Sequence, residues 1–240
     1  MKKKVGIIGF GKWAKKIIPI INDISIINFI INSKTDYRNI KSEVDWIFVL
    51  TSNQTHYKIV KYFLNLRKNV FCEKPLSLSY KKSLELFQLA KKNKKKLYVS
   101  DVEFYKKKSL QINKINNIIR CKYDKKGGDI LNRLSYHDFY LLYKNIKLAK
   151  KTQITILKNE SKNLKFNIYN DGKIYHFYYS LNSLNKKHMI NNKNFLNFEE
   201  DPLKTMLKKV LYGNINVIKN KNSSLFASKI IEMINKNGNS

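Results

Sequence analysis

Ten residues near the start, VGIIGFGKWA, constrain the fold more than any other stretch of the chain. Val5, Ile7 and Ile8 form an apolar run of the length of one buried strand, over residues 5–9. Gly9, Gly11 and Ala14 then fall in the pattern G-x-G-x-x-A, and helical periodicity begins at once, over 12–22. A strand, a glycine turn and a helix in immediate succession is how a dinucleotide-binding unit opens. Each small residue has a physical task there. Gly9 permits the tight turn, Gly11 lets backbone approach a pyrophosphate, and Ala14 lets helix and strand pack closely. The helix start offers free N–H groups and the positive end of its dipole. Phe10, Lys12 and Trp13 complete the candidate cofactor loop.

The pattern continues as this opening requires. Apolar runs at 24–32, 45–51, 69–72 and 97–102 read as strands, and periodic segments at 54–66 and 80–92 as helices. Strands alternating with helices argue a parallel sheet with helical crossovers. After about residue 105 the character changes. Residues 109–119 and 129–146 read as helices, the second preceded by Gly127-Gly128. Period-2 segments follow at 153–157, 164–169 and 174–181, and the last two flank Asn170-Asp171-Gly172, a hairpin turn signal. Helices at 202–212 and 223–235 close the chain. The predicted class is α/β: a parallel, doubly wound Rossmann domain over 1–104, then a smaller α+β domain with a mainly antiparallel sheet over 105–240. In the last period-2 segment, Tyr175, Phe177, Tyr179 and Leu181 share one face, and Ile174, His176 and Tyr178 the other. Both faces are partly apolar, so one should pack on helices and the other on a second copy of the chain.

Composition narrows the function classes. The 240 residues carry a formal net charge of +31, which raises nucleic acid as a partner. Arginine, the residue whose fork reads phosphate and base edges, occurs only at Arg38, Arg67, Arg120 and Arg133. The rest of the charge is lysine, inflated together with asparagine and isoleucine, as in a chain encoded by an AT-rich gene. The reading is therefore no specific nucleic-acid partner. The apolar run in MKKKVGIIGF is too short for a signal peptide, and residues 17–31 are interrupted by Pro19, Asn22 and Asp23, so no membrane span is predicted. Cys72 and Cys121 stand in no metal-ligand spacing, which fits a reduced, cytoplasmic protein without a metal.

The second strand should end in an acid if a ribose 2′-hydroxyl is to be held. Here it runs into Asn32, Ser33, Lys34 and Thr35, with Asp36 the nearest carboxylate. Ser33 and Lys34, with Arg38 nearby, suit a 2′-phosphate, which slightly favours NADP over NAD.

Two further stretches carry a family resemblance, VDWIFVLTSNQTHYKIVKYFLNLRKNVFCEKPLSL at 44–78 and GGDILNRLSYHDFYLL at 127–142. With the glycine loop, in this order, the chain resembles the Gfo/Idh/MocA oxidoreductases, the glucose–fructose oxidoreductase and inositol dehydrogenase group, as a shortened member. The resemblance implies hydride transfer between a nicotinamide cofactor and a sugar or polyol carbon. It also implies a second domain whose open sheet face forms a homo-oligomer. It makes Lys74 the candidate catalytic lysine, Glu73 its neighbour at the cofactor, and the Lys74–Pro75 bond cis. Thr51, Ser52 and Asn53 fall where the family's loop meets the nicotinamide, and His137 takes the family's histidine position. His56 matches a loop histidine and is read as structural.

The chemistry has its own logic. Oxidising an alcohol needs a hydride acceptor and a destination for the hydroxyl proton. A lysine at the carboxyl end of a parallel strand points to the crevice where such ligands bind, and a histidine supplies a proton acceptor of suitable pKa. Two departures stand out. On an ideal helix Arg133, His137 and Tyr140 share one polar band while Asp138 points about 100° away. Arg133 and Tyr140 stand where the family has aspartates. An arginine fork there predicts an acidic substrate, such as a sugar acid or a phosphorylated sugar, held by Lys74, Arg133, His137 and Tyr140. Only residues 33–44 separate the second and third strands, where the family places a helix, a strand and a short helix. Both departures also admit a dinucleotide-binding protein that no longer catalyses.

Overall fold

The computed structural model describes residues 1–106, 112, 114–125, 129–196 and 201–237. They fall into two compact units, one of residues 1–101 with 203–225, the other of 102–202 with 226–240. The sequence placed a single crossing near residue 104. In the structure the chain returns to the first unit before ending in the second.

The first unit is a five-stranded sheet, every neighbouring pair parallel, in the order β2-β1-β3-β4-β5. Its strands are β1 (Lys4–Ile8), β2 (Ile26–Ile31), β3 (Trp46–Val49), β4 (Asn69–Cys72) and β5 (Leu97–Val99). The helices are α1 (Ala14–Ile24), α2 (Asn53–Asn65) and α3 (Tyr80–Lys92). All four residues of β3 are buried, the signature of a strand covered on both faces. Ile47, Val49, Val70 and Cys72 pack with Ile59, Val60 and Phe63 of α2 and Leu86 and Phe87 of α3. On alternate positions Phe48 stacks on Phe71 with ring centres 4.7 Å apart, and Phe71 on Tyr98 at 6.4 Å.

The link from β2 to β3 is the abbreviated one. It holds only a 3₁₀ turn, Tyr37–Asn39. Among the described residues, no strand lies outside β2 in this sheet.

The second unit is a six-stranded sheet ordered β11-β10-β6-β9-β8-β7, antiparallel except where β6 runs parallel to β9. Its strands are β6 (Asn117–Tyr123), β7 (Gln153–Glu160), β8 (Asn163–Asn170), β9 (Lys173–Ser180), β10 (Asn182–Ile190) and β11 (Lys193–Asn194). The β8–β9 turn has Asp171 and Gly172 both at positive φ, 49° and 68°, the geometry a two-residue hairpin needs. One sheet face, with Phe166, Tyr175, Phe177, Tyr179 and Leu181, is buried against helix α4 (Tyr136–Leu142) and the end of the last helix. On the other face Ile174 and His176 are exposed.

Helix 129–146 is shorter and less regular than predicted. A π turn, Leu131–Ser135, precedes α4, and the Tyr136 N–H reaches back five residues to the Leu131 carbonyl. Residues 117–119, predicted helical, belong to β6, while 107–111 and the Gly127-Gly128 pair lie outside the described residues.

Helices α5 (Pro202–Tyr212) and α6 (Val217–Asn237) explain the chain's return. The Tyr212 hydroxyl donates to the Ile24 carbonyl at 2.6 Å and accepts from the Lys3 N–H at 3.0 Å. Asn220 caps β5 from both sides, accepting from the Val99 N–H at 2.9 Å and donating to its carbonyl at 2.7 Å. From Phe226 onward α6 joins the core of the second unit through Ala227, Ile230 and Ile234.

Asn220 also donates to Asp101 at 3.0 Å, and the Tyr98 hydroxyl donates to the same buried carboxylate at 2.8 Å. Burial outweighs these donors and pushes Asp101 up to about 6. A carboxyl whose folded pKa is raised stabilises the fold most when protonated, and that contribution is lost as pH climbs from about 4 through 6. Asp101→Asn keeps the shape without the charge. Denaturant melts from pH 4 to 7 should show the wild type losing up to about 3 kcal/mol that the variant keeps. Parallel curves would refute this.

Candidate functional site

The carboxyl ends of the parallel strands form one row in the first unit. Gly9 N–H donates to the Ile31 carbonyl at 2.7 Å, Leu50 to Ile8 at 2.8 Å, Glu73 to Val49 at 3.0 Å and Ser100 to Cys72 at 2.9 Å. Each bond continues the ladder one step past the strand ends. Chain order reverses between β1 and β3, the switch point where such sheets open a crevice.

A cleft of about 940 Å³ lies there. Its floor is the turn Gly9–Trp13, one side is 31–38, and the other is Leu50, Thr51, Ser52 and Thr55. Gly9 has φ +113°, and a Cβ on it would stand 2.6 Å from the Leu50 carbonyl group, so the turn admits only glycine. Gly11 differs. A Cβ there would meet no heavy atom of the chain within 4 Å and would project into open space at the cleft floor. Fold therefore does not require glycine at 11, but close approach of a ligand to this backbone does. Ala14 is fully buried beneath the turn, and no side chain caps the start of α1. Phe10 and Trp13 stay 47% and 44% exposed at the cleft, a large apolar surface for a soluble turn to leave uncovered.

The 31–38 wall carries an ion pair absent from the sequence reading. Asp36 caps the 3₁₀ turn by accepting from the Arg38 N–H at 3.0 Å, and it takes the Arg38 guanidinium in a fork, Nε at 2.9 Å and Nη2 at 2.7 Å. The pairing lowers Asp36 and raises Arg38. Arg38 is thus committed to a neighbour, while Ser33 and Lys34 are exposed in the same wall.

Of the predicted cofactor residues, Gly9, Phe10, Gly11, Lys12, Trp13, Ser33, Lys34, Thr51 and Ser52 line the cleft. Asn53 opens α2 beside it, and Glu73 and Lys74 follow β4 in the strand-end row. Tyr37 and Thr55 also line the cleft and were not singled out from sequence. The Lys74–Pro75 bond is cis. His56 is fully buried and ties this segment to the cleft loop: Nδ1 sits 2.7 Å from the Pro75 carbonyl and Nε2 3.1 Å from that of Thr51. Burial lowers its pKa despite both carbonyls. Glu73 is buried, one carboxylate oxygen accepting from the Lys74 N–H at 3.3 Å.

His137, Arg133 and Tyr140 lie in the second unit, and the expected polar band does not form there. The π turn adds a residue to the helical register between Arg133 and Tyr140. Tyr140 is fully buried, packed edge-on against Tyr136 at 5.3 Å and against Phe104 at 5.9 Å. Arg133 pairs with Asp124.

Asp138, set aside in the sequence reading, is instead the fully buried centre of a charge network. Arg120 of β6 lies 3.2 Å from Asp138 and 2.6 Å from Glu103, and Lys106 lies 2.5 Å from Glu103. His188 of β10 brings Nε2 within 2.9 Å of Asp138, close enough to pair though off a hydrogen-bond line. Arg120 approaches its other nitrogen at 3.4 Å. Burial works to raise Glu103, but Arg120 and Lys106 outweigh it and hold the carboxyl well below its usual range. The β10 half of this network had no periodic signal in NSLNKKHMI that could have announced it.

Comparison with known proteins agrees with this geometry. Residues 27–101 match the Gfo/Idh/MocA oxidoreductase family, described as having an NAD-binding Rossmann fold. This stretch is similar to that family. The match begins after the glycine turn, so the two signals are independent. Among solved structures, UDP-N-acetylglucosamine 3-dehydrogenase GnnA from Acidithiobacillus ferrooxidans superposes with TM-score 0.81 at 11% identity, over 99% of this chain and 98% of that one. A Gfo/Idh/MocA family oxidoreductase from Vibrio cholerae gives 0.75 at 17%, over 99% and 100%. The WlbA dehydrogenase from Thermus thermophilus, solved with NAD and UDP-GlcNAcA, gives 0.69 at 14%, over 95% and 94%. At these identities the likeness is one of fold. No curated protein sequence matches the chain. No helix among the described residues is long and apolar enough to cross a membrane.

Proposed function

We propose that this protein is an NAD(P)-dependent dehydrogenase or reductase of the Gfo/Idh/MocA type, acting on a CH–OH group of a sugar derivative. One observation carries the reading: the Gly9–Trp13 cradle and the Glu73-Lys74 pair stand in the same strand-end row, two strands apart. That is roughly 10 Å at ordinary strand spacing, the order of the distance from a dinucleotide's pyrophosphate to its nicotinamide.

The residues fit the cofactor. Gly9–Trp13 and the uncapped start of α1 would take the pyrophosphate, the 31–38 wall the adenosine ribose, and Thr51, Ser52 and Asn53 the approach to the nicotinamide. The bound nicotinamide supplies hydride exchange. Lys74 is the proposed catalytic lysine, its ammonium bonding the oxygen that changes charge, with Glu73 beside it at the cofactor. His56 positions this segment through the Pro75 carbonyl. His137 is the proposed proton acceptor.

For the 2′ position the wall offers both chemistries, Ser33 and Lys34 for a phosphate and the Asp36 carboxylate for a hydroxyl. Dual use of NAD and NADP follows, with affinities within about tenfold of each other. A homo-oligomer through the exposed face of the second sheet remains part of the proposal.

Gly11→Val tests the cradle. Its Cβ would enter the space that the cofactor takes and, chain neighbours aside, meet no heavy atom within 4 Å. Titrating NADH and NADPH fluorescence should show at least tenfold weaker binding with an unchanged melting temperature. Unaltered binding would remove the dinucleotide reading. The missing outer strand and the buried Tyr140 favour a second reading, a dinucleotide-binding protein without turnover. Tight NADH binding to the wild type with no hydride transfer to any of a panel of UDP-sugars, uronic acids and inositols would select it.

A further inference from the structure

The buried network of the second unit balances its own charge. Glu103 and Asp138 are met by Arg120 and Lys106, with His188 beside them. Directly over it lies a concavity of about 80 Å³ with Arg120 and His188 in its lining and Lys122, Lys186 and Lys187 around them. Lys122 and Lys186 project from neighbouring strands, β6 and β10. None of the three lysines has an ion pair among the described residues. Asp124, the carboxylate that acts on Lys122, is engaged by Arg133, and Glu103 and Asp138 are taken up by the network below.

Lys122 is the telling residue. Lysines scattered by composition lie in solvent, where they cost nothing. This one is half-buried, and burial, then Arg133, then Arg120 and Lys186 all disfavour its charge, against Asp124 alone. A chain gains nothing in stability by holding a half-buried ammonium among three other cations. A site gains a strong field for an anion. The volume is two to three times a water's share of liquid, enough for one carboxylate or phosphate group.

We infer that the concavity formed by Arg120, Lys122 and Lys186 is a binding site for a single oxyanion, either a free phosphate or the anionic group of an acidic sugar. The role that sequence gave to Arg133 thereby passes to lysines of β6 and β10. The site stands on the second unit alone and does not depend on hydride transfer.

Inorganic phosphate is the first probe, with chloride at matched ionic strength as the baseline. A protein with charge +31 attracts anions everywhere, so the comparison is between variants. Phosphate should raise the melting temperature of the wild type and of Lys165→Met/Lys173→Met, which removes two exposed lysines elsewhere on the sheet. It should raise that of Lys122→Met/Lys186→Met at least tenfold less effectively, read as the concentration giving half the shift. Equal phosphate response in both double variants, or no response in the wild type, overturns the site. Glucuronate against glucose in the same assay separates the sources: a glucuronate response lost with Lys122 and Lys186 assigns an acidic sugar, and a response to phosphate alone assigns a free anion.

Discussion

Lys74→Met should lower kcat for hydride transfer by about 10²–10⁴ while leaving NADH affinity within about threefold of wild type. The two effects separate because binding and chemistry sit on different strands. The cradle is the turn after β1, and Lys74 follows β4, two strands away. Methionine keeps much of the lysine's length and apolar stem and removes only the ammonium. What is lost is a charged donor to the oxygen whose charge changes, an interaction that strengthens toward the transition state and therefore appears in kcat. The assay is NAD(P)H absorbance with the same sugar panel, and binding is read by NADH fluorescence. A Lys74→Met protein that turns over normally would remove Lys74 from the chemistry and leave the cradle intact. His56→Ala, by contrast, should reduce turnover without abolishing it, since His56 bonds the Pro75 carbonyl next to Lys74 and is placed here as a positioning residue.

The parallel sheet of the first unit was legible strand by strand, though the return of 203–225 to that unit was not. β4 and α3 have the bounds read from sequence, because buried parallel strands are unbroken apolar runs and α3 repeats its core residues Leu86, Phe87 and Ala90 at helical spacing. The glycine turn was legible because its demands are steric and local: Gly9 at φ +113° can be nothing else. The second unit was harder for stated reasons. β10 presents Asn185, Lys186 and Lys187 outward and buries only His188 and Ile190 at its end, so no alternation marks it. The π turn was invisible, since one added residue leaves composition unchanged yet rotates Tyr140 into the core. The Glu103–Arg120–Asp138–His188 network joins four elements far apart in sequence, and an ideal-helix projection had turned Asp138 away from the site. Lysine abundance hid the rest, because one half-buried Lys122 looks like every other lysine until its depth is known.

That network sets the largest stability effect. Arg120→Met should destabilise the protein by about 3–5 kcal/mol, because it leaves two buried carboxylates with Lys106 as their one remaining lysine or arginine partner among the described residues, rather than removing a balanced pair. Glu103 and Asp138 are 3% and 0% exposed at their side chains, and Arg120 is the one cation that touches both. In a chain of this size the loss corresponds to a melting temperature lower by about 10 °C. The sign of its pH dependence follows from Glu103. Its folded pKa is depressed, so its contribution is present above the ordinary carboxyl range and is lost as pH falls through and below that range. In Arg120→Met the Glu103 carboxyl loses the partner that depresses it most and takes up a proton sooner, so acid relieves the variant before it harms the wild type. The gap between the two proteins in urea melts should therefore be widest at pH 7 and narrow by pH 4.5. Arg120→Lys restores a charge but not the fork that spans both carboxylates, and it should recover only part of the loss. A gap below about 1 kcal/mol at pH 7, or one that widens in acid, would mean that Lys106 and His188 neutralise the two carboxylates without Arg120.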